Sequence, residues 1–311
     1  PDMADDAGAP TSSSSMPTVM AGMLEALDLR PGHRVLEIGT GTGYHTALLC
    51  HRVGAANVAS VELDPQLADT ARRALAVLGL HPAVHAGDGA VGLAAAAPFD
   101  RIIATASTDH IPPAWTSQLT PGGIIVTDLR GSLDGALIRL TAVSSDVVEG
   151  RFLTLPGAFM PMRTRLDSPH RDGEDGDQVL WDQRNPQRGS TTVDPAQVAD
   201  QRSLRFLLQL HLAGRRLRGF RRSIAGRELC GHSTDGSWFT AGLNPDDNRL
   251  FPVQQGGPQR LWDTVESSFT TWQRLGEPDI DTFGVTAPDD TALQHVWLGH
   301  HDSPLRWPLP L

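Results

Sequence analysis

The run Val35-Leu36-Glu37-Ile38-Gly39-Thr40-Gly41-Thr42-Gly43 joins apolar strand residues, one carboxylate and three alternating glycines. Glycine serves where a backbone must turn tightly and approach a ligand closely. A dinucleotide fingerprint wants glycine where Tyr44 stands. The pattern here is GxGxG preceded by Glu37, which suits S-adenosylmethionine, a ligand with no pyrophosphate to cradle. Glu62, ending the next apolar run, is placed to take ribose hydroxyls, with Leu63 beside it. Gly87-Asp88-Gly89 offers an aspartate and a backbone N–H for adenine, and Thr105-Ala106-Ser107 would stand beside the transferable methyl group. The candidate cofactor residues are therefore Glu37, Gly39, Thr40, Gly41, Gly43, Glu62, Leu63, Asp88, Gly89 and Thr105. A glutamate at a strand end is commonly just solvated; a cofactor site is indicated because all of these residues occur in order over one βαβαβ stretch.

These residues need a sheet to hold them. Residues 33–38, 57–62, 83–86, 99–105 and 123–129 read as short, nearly continuous apolar strands. Helices are predicted from Pro17 to a break at Pro31-Gly32 and over 44–53, 64–78 and 112–119, the first striped by Met20, Met23, Leu24 and Leu27, the third stopped by Gly79. Repeated βα units predict an α/β, Rossmann-like class I methyltransferase domain, a mostly parallel sheet with helices on both faces. Residues 136–143 and 147–153 read as its final antiparallel pair. The polar stretch 167–189 reads as a linker. A smaller α+β domain is then expected, with helical stripes at Leu204, Leu207, Leu208, Leu212 and at Leu261, Trp262, Val265, Phe269, Trp272, and strands at 281–286 and 293–298. The expected division is 1–160 for the methyltransferase domain, 161–195 for an acidic linker or mobile loop, and 196–311 for an accessory domain that binds a peptide substrate.

The 311 residues carry a net charge of -10, and all 26 Lys and Arg residues are arginines. That balance argues against sequence-independent nucleic-acid binding, which depends on neutralising phosphates. The fourth strand also lacks the Asn-Pro-Pro-Tyr signature expected of amino-methylating nucleic-acid enzymes, so a nucleic-acid methyltransferase remains only as an alternative class. No apolar run approaches the ~20 residues of a membrane-spanning helix. Two cysteines, Cys50 and Cys230, cannot build a disulfide framework, which favours a cytoplasmic location. The histidines show no zinc-like spacing, and no metal is expected. The chain begins with Pro1, so part of a natural N-terminus is expected to be missing. Arg202, Arg205, Arg215, Arg216, Arg218, Arg221, Arg222 and Arg227 form a basic stretch, read either as a solvated face or as a dock for an acidic peptide.

Residues 11–131 resemble the protein-L-isoaspartate O-methyltransferases. The likeness runs through the serine-rich stretch before Pro17, Met23-Leu24-Glu25-Ala26-Leu27, the glycine run to Tyr44, Gly87-Asp88-Gly89, Ala97-Pro98-Phe99-Asp100, Ile111-Pro112 and Gln118-Leu119 to Gly122-Gly123. It implies carboxyl O-methylation of an aspartate or isoaspartate side chain in a peptide or protein. S-adenosylmethionine would leave as S-adenosylhomocysteine, and the ester would close to a succinimide (aspartimide). It places the catalytic hydroxyl on Ser15, with Ser14 as the alternative register. Met16 stands where the family usually has glutamine. Ser14, Met16, Thr105 and Ala106 are the candidate substrate contacts. Trp238, Gly257-Pro258, Leu261-Trp262 and Trp297 further resemble longer actinobacterial homologues that tailor ribosomally made peptides such as lanthipeptides. That likeness implies a modified ribosomal precursor as the favoured partner, with general isoaspartate repair as the alternative.

Overall fold

A computed structural model describes residues 3–4, 10–12, 16–165, 186–212, 217–223 and 226–309. The chain divides into two compact units. The first takes Pro1–Leu129, Gly135–Asp172 and Phe283–Arg306; the second takes Arg130–Asp134, Gly173–Thr282 and Trp307–Leu311.

In the first unit, strands β1 (Val35–Ile38), β2 (Val58–Glu62), β3 (Ala83–Ala86), β4 (Phe99–Thr108) and β5 (Leu119–Arg130) pair in parallel in the order β3-β2-β1-β4-β5. Val35, Leu36, Ile102, Ile103, Ile125 and Val126 are fully buried, as continuous apolar strands covered on both faces must be. Helix α1 (Pro17–Ala26) and helix α2 (Tyr44–Val53) pack Val19, Met23, Leu49 and Val53 with Val35, Val58 and Ile103. Helix α3 (Pro65–Val77) starts where the Asp64 side chain accepts from Gln66 N at 2.8 Å, and Pro65 occupies its first turn. The short helix α4 (Pro113–Ser117) precedes β5 and is shorter than the sequence suggests, because β5 already begins at Leu119.

Strands β6 (Gly135–Ala142) and β7 (Val147–Pro156) form the expected antiparallel pair, but they do not end the sheet. In the second unit, β8 (Gln187–Thr191), β9 (Leu217–Arg222), β10 (Glu228–Ser233), β11 (Trp238–Gly242) and β12 (Phe251–Gly256) make an antiparallel sheet in the order β8-β12-β11-β10-β9. Helix α5 (Pro195–Asp200), helix α6 (Arg202–His211) and helix α7 (Leu261–Arg274) accompany it, with Trp262 on α7 5.2 Å from Phe239 of β11.

The expected boundary at 196–311 differs from the observed one. Strand β13 (Phe283–Pro288) pairs antiparallel with β7, and β14 (His295–Leu298) with β13, so this hairpin extends the first unit's sheet and takes Trp297 with it. Nor is 161–195 linker throughout: residues 187–191 are β8, and Met160–Met162 lies along the end of β4. Among the described residues no helix is long and apolar enough to cross a membrane.

Candidate functional site

Chain order reverses around β1: β2 follows it on one side, and β4 arrives later on the other. In such sheets a crevice opens outside the carboxyl ends of the strands at this point. A cleft is found there, with about 740 Å³ of empty space partly open to solvent. Ile38 and Gly39 from the end of β1, Glu62 and Leu63 from the end of β2, and Thr105 and Ala106 from β4 line it.

The loop after β1 is built from below. Glu37 is fully buried, and its carboxylate accepts from Thr46 Oγ1 at 2.5 Å and Ser60 Oγ at 2.6 Å, with His45 Nδ1 at 2.8 Å. The Ser60 proton is committed to Glu37, so the Thr40 hydroxyl, 2.6 Å away, is the donor to Ser60. This network ties the loop, α2 and β2 together beneath the cleft. Above it the backbone turns left-handed at Gly39, where a Cβ would stand 2.9 Å from Thr105 Oγ1. Thr105 Oγ1 donates to the Gly39 carbonyl at 2.7 Å, which locks the loop onto β4.

Glu62 faces the cleft and is largely buried. Its Oε2 accepts from Gly41 N at 2.9 Å and its Oε1 from Asp64 N at 3.2 Å. Burial pushes its pKa up, and the Gly41 and Asp64 N–H groups pull it partly back. The remaining lone pairs of both oxygens can take hydroxyls from a ligand. Gly89 also lines the cleft and has no room for a side chain, since a Cβ would lie 2.4 Å from Ile38 Cγ2. A sulfonium nucleoside needs a hydroxyl acceptor, a close backbone approach and apolar walls. Glu62, the Gly39–Gly43 loop, and Ile38 with Leu67 provide these, so the residues present fit S-adenosylmethionine.

Of the candidate cofactor residues, Gly39, Gly41, Glu62, Leu63, Gly89 and Thr105 line the cleft. Glu37, Thr40, Gly43 and Asp88 do not: Glu37 and Thr40 belong to the buried network, Gly43 precedes α2, and Asp88 accepts from Ala90 N at 2.8 Å to cap a short turn. Ser14 and Ser15 lie outside the described residues, and Met16 is exposed at the start of α1. Ala106 lines the cleft beside Thr105.

Several positioning groups were not among the candidate site residues. Buried Trp115 donates from Nε1 to the Gly89 carbonyl at 2.8 Å, and Gln118 bonds the Val91 carbonyl and Leu93 N, so α4 and the residue after it fix the Gly89 turn. Met160, Pro161, Met162 and Arg163 complete the wall of the cleft. A candidate metal cluster, His300, His301 and Asp302, lies outside the cleft on an exposed turn, where only paired imidazoles in the sequence hinted at it.

Residues 3–149 match the family model for protein-L-isoaspartate(D-aspartate) O-methyltransferase. A protein-L-isoaspartate O-methyltransferase of Anaeromyxobacter dehalogenans (strain 2CP-1) is 44% identical over 150 residues, spanning 48% of this chain and 71% of that protein. The enzyme of that name from Ignicoccus hospitalis is 46% identical over 152 residues, spanning 48% and 71%. A solved structure named protein-L-isoaspartate O-methyltransferase superposes with a TM-score of 0.53 at 21% identity, covering 95% of this chain and 84% of that one.

Proposed function

The chain belongs to the protein-L-isoaspartate O-methyltransferase family, and from that premise we propose that it methylates the free carboxylate of an isoaspartyl residue in a polypeptide. It is an S-adenosylmethionine-dependent enzyme. When bound, S-adenosylmethionine supplies a methyl group on a positively charged sulfur and departs as S-adenosylhomocysteine. The observation that carries the reading is Glu62, held by Gly41 N across the mouth of a glycine loop at the carboxyl ends of β1, β2 and β4.

The residues of this cleft act by placement. Glu62 accepts the ribose hydroxyls, Gly39 and Gly89 let backbone approach the ligand, and Thr105 keeps the loop against β4. The acceptor is a carboxylate with an ordinary pKa near 4, ionised at neutral pH, so no side chain need remove a proton from it. What remains is to align the acceptor oxygen and exclude water, both of which lower the barrier. Ser15, or Ser14 in the other register, is proposed to hydrogen-bond one acceptor oxygen, leaving the other aimed at the cleft. The methyl ester then loses methanol as the next backbone nitrogen closes on it. Hydrolysis of the resulting succinimide gives aspartate or isoaspartate.

The features that suggested peptide tailoring do not favour it over isoaspartate. Arg205 is paired with Asp134 at 2.7 Å and Arg222 with Asp200 at 2.9 Å, which suits a structural role for part of the basic stretch. The added domain also has a counterpart in fold among the solved isoaspartate enzymes. A cytoplasmic home accords with Cys50 and Cys230 being buried and not joined in a disulfide.

Mass spectrometry tests the proposal. An isoaspartyl peptide and its aspartyl twin are incubated with S-adenosylmethionine. A gain of one methyl on the isoaspartyl peptide, followed by loss of methanol, is expected. Methylation confined to the aspartyl peptide would replace repair with tailoring, and methylation of RNA alone would overturn both.

A further inference from the structure

We propose that Arg163 is a further acceptor-binding residue, alongside the proposed serine: its guanidinium holds the substrate carboxylate before transfer and loses its grip on the neutral ester afterwards. This rests on reading the cleft as the methyl-transfer site. Three observations carry it.

The segment bearing Arg163 is fixed to the sheet. Ser107 N donates to the Met160 carbonyl at 2.8 Å, Met162 N donates to the Ser107 carbonyl at 2.7 Å, and Pro161 bridges Ser107 in parallel. Parallel register carries the chain past the level of Thr105 and Ala106 toward the carboxyl end of β4, and Arg163 follows at once. Among the described residues, Arg163 is also the single cation lining the cleft, where Glu62 is the single carboxylate. Among the described residues no acidic side chain pairs with it, in contrast to Arg205 with Asp134 or Arg222 with Asp200. A cationic fork in a half-buried cleft, with no acid paired to it among the described residues, suits an incoming carboxylate, because guanidinium and carboxylate match in a bidentate pair.

The chemistry gives this pairing a direction. The substrate brings a negative charge, and the product ester has none. One ion pair therefore favours entry of the acceptor and no longer retains it once methylated, which speeds turnover without a separate release device.

Arg163→Gln and Arg163→Lys are compared with the wild type as full-length proteins. Calorimetry with S-adenosylhomocysteine reports folding and the donor side of the cleft. Calorimetry with an isoaspartyl peptide in saturating S-adenosylhomocysteine, together with steady-state kinetics, reports the acceptor side. Arg163→Gln is expected to raise both the peptide Kd and its KM about tenfold or more, with S-adenosylhomocysteine affinity within twofold of wild type. Arg163→Lys should recover part of the loss, since charge returns without the fork. The peptide KM should rise with salt in the wild type and much less in Arg163→Gln. An unchanged KM and peptide Kd in Arg163→Gln overturn this proposal alone. A loss of S-adenosylhomocysteine affinity equal to the loss of peptide affinity also overturns it, by assigning Arg163 to the donor. A wild type that binds S-adenosylhomocysteine but methylates no peptide overturns the functional reading, and this inference with it.

Discussion

Glu62 and Glu37 are two carboxylates at the ends of adjacent strands, and their surroundings give them opposite tasks. Glu62 faces the cleft, and burial raises its pKa above the ordinary glutamate value. Its protonated form is therefore favoured by folding: the stability tied to this group is full below its unfolded pKa and is lost as pH rises through the raised folded value. Burial makes the charged form of Glu62 costly, and hydroxyls donated by a bound ligand would offset that cost. Glu62→Gln is thus expected to leave the Tm of the ligand-free protein unchanged or higher. It should weaken S-adenosylhomocysteine by about tenfold or more, as losing a hydrogen bond to a charged group costs about 1.5–3 kcal/mol. Affinity should fall with acidification in the wild type and stay flatter in the variant; calorimetry across pH 5–8 and thermal melts read both. Glu37 shows where spacing misleads. The sequence places it two residues before the first glycine of the turn, at a position equally suited to touch a ligand or to support the turn, and only its complete burial against Thr46, Ser60 and His45 decides for support. Glu37→Ala would leave two hydroxyls and a ring nitrogen without their acceptor. About 1–3 kcal/mol per stranded buried group predicts a large drop in thermal stability, with ligand affinity falling as the loop loosens.

The βα units were legible because their signals are local. Continuous apolar runs mark buried parallel strands, Asp64-Pro65 marks the start of α3, and the alternating glycines after Ile38 mark the turn. The β13–β14 hairpin was recognisable as strands but not assignable to a sheet, because nothing near Phe283 in sequence says that its partner is β7. Its consequence reaches the site through one side chain. Gln294, almost fully buried, accepts from Ile111 N at 2.9 Å and donates to the Ile111 carbonyl at 2.8 Å and to the Pro288 carbonyl at 3.1 Å. It thereby holds both polar groups of a fully buried residue in the connection from β4 to α4, just ahead of Trp115, which fixes the Gly89 turn. Gln294→Leu keeps the volume and removes both partners. The expected result is a loss of about 2–6 kcal/mol from the two unsatisfied buried groups of Ile111, read by urea unfolding. S-adenosylhomocysteine affinity should weaken although Gln294 does not line the cleft, whereas a substitution at exposed Leu293 next door should change neither.

At the scale of the whole chain, each unit is assembled from three separate stretches that alternate along the sequence. A methyltransferase ending near residue 160 is what the βα pattern suggests. It would omit β13 and β14, leave β7 as an open edge, and discard Gln294 and the wall residues after Met160. An exposed edge strand invites aggregation, and stranded polar groups at Ile111 cost stability. A chain cut after residue 160 is therefore expected to be insoluble or unfolded and to show no affinity for S-adenosylhomocysteine. An internal deletion of 173–282, joining 172 to 283 through a flexible Gly/Ser linker, keeps every strand of the first sheet and every residue lining the cleft. That protein is expected to fold, with cooperative thermal unfolding, and to bind S-adenosylhomocysteine within a few fold of the full chain. Its kinetics then separate the roles of the two units. Unchanged methylation of a short isoaspartyl peptide would mean that the first unit carries both donor and acceptor sites. A rise in the peptide KM with S-adenosylhomocysteine affinity preserved would mean that the second unit contributes to acceptor binding. If instead the chain ending at residue 160 bound S-adenosylhomocysteine like the full protein, the dependence of the cleft on its C-terminal hairpin would be refuted, and Gln294 would reduce to a local packing residue.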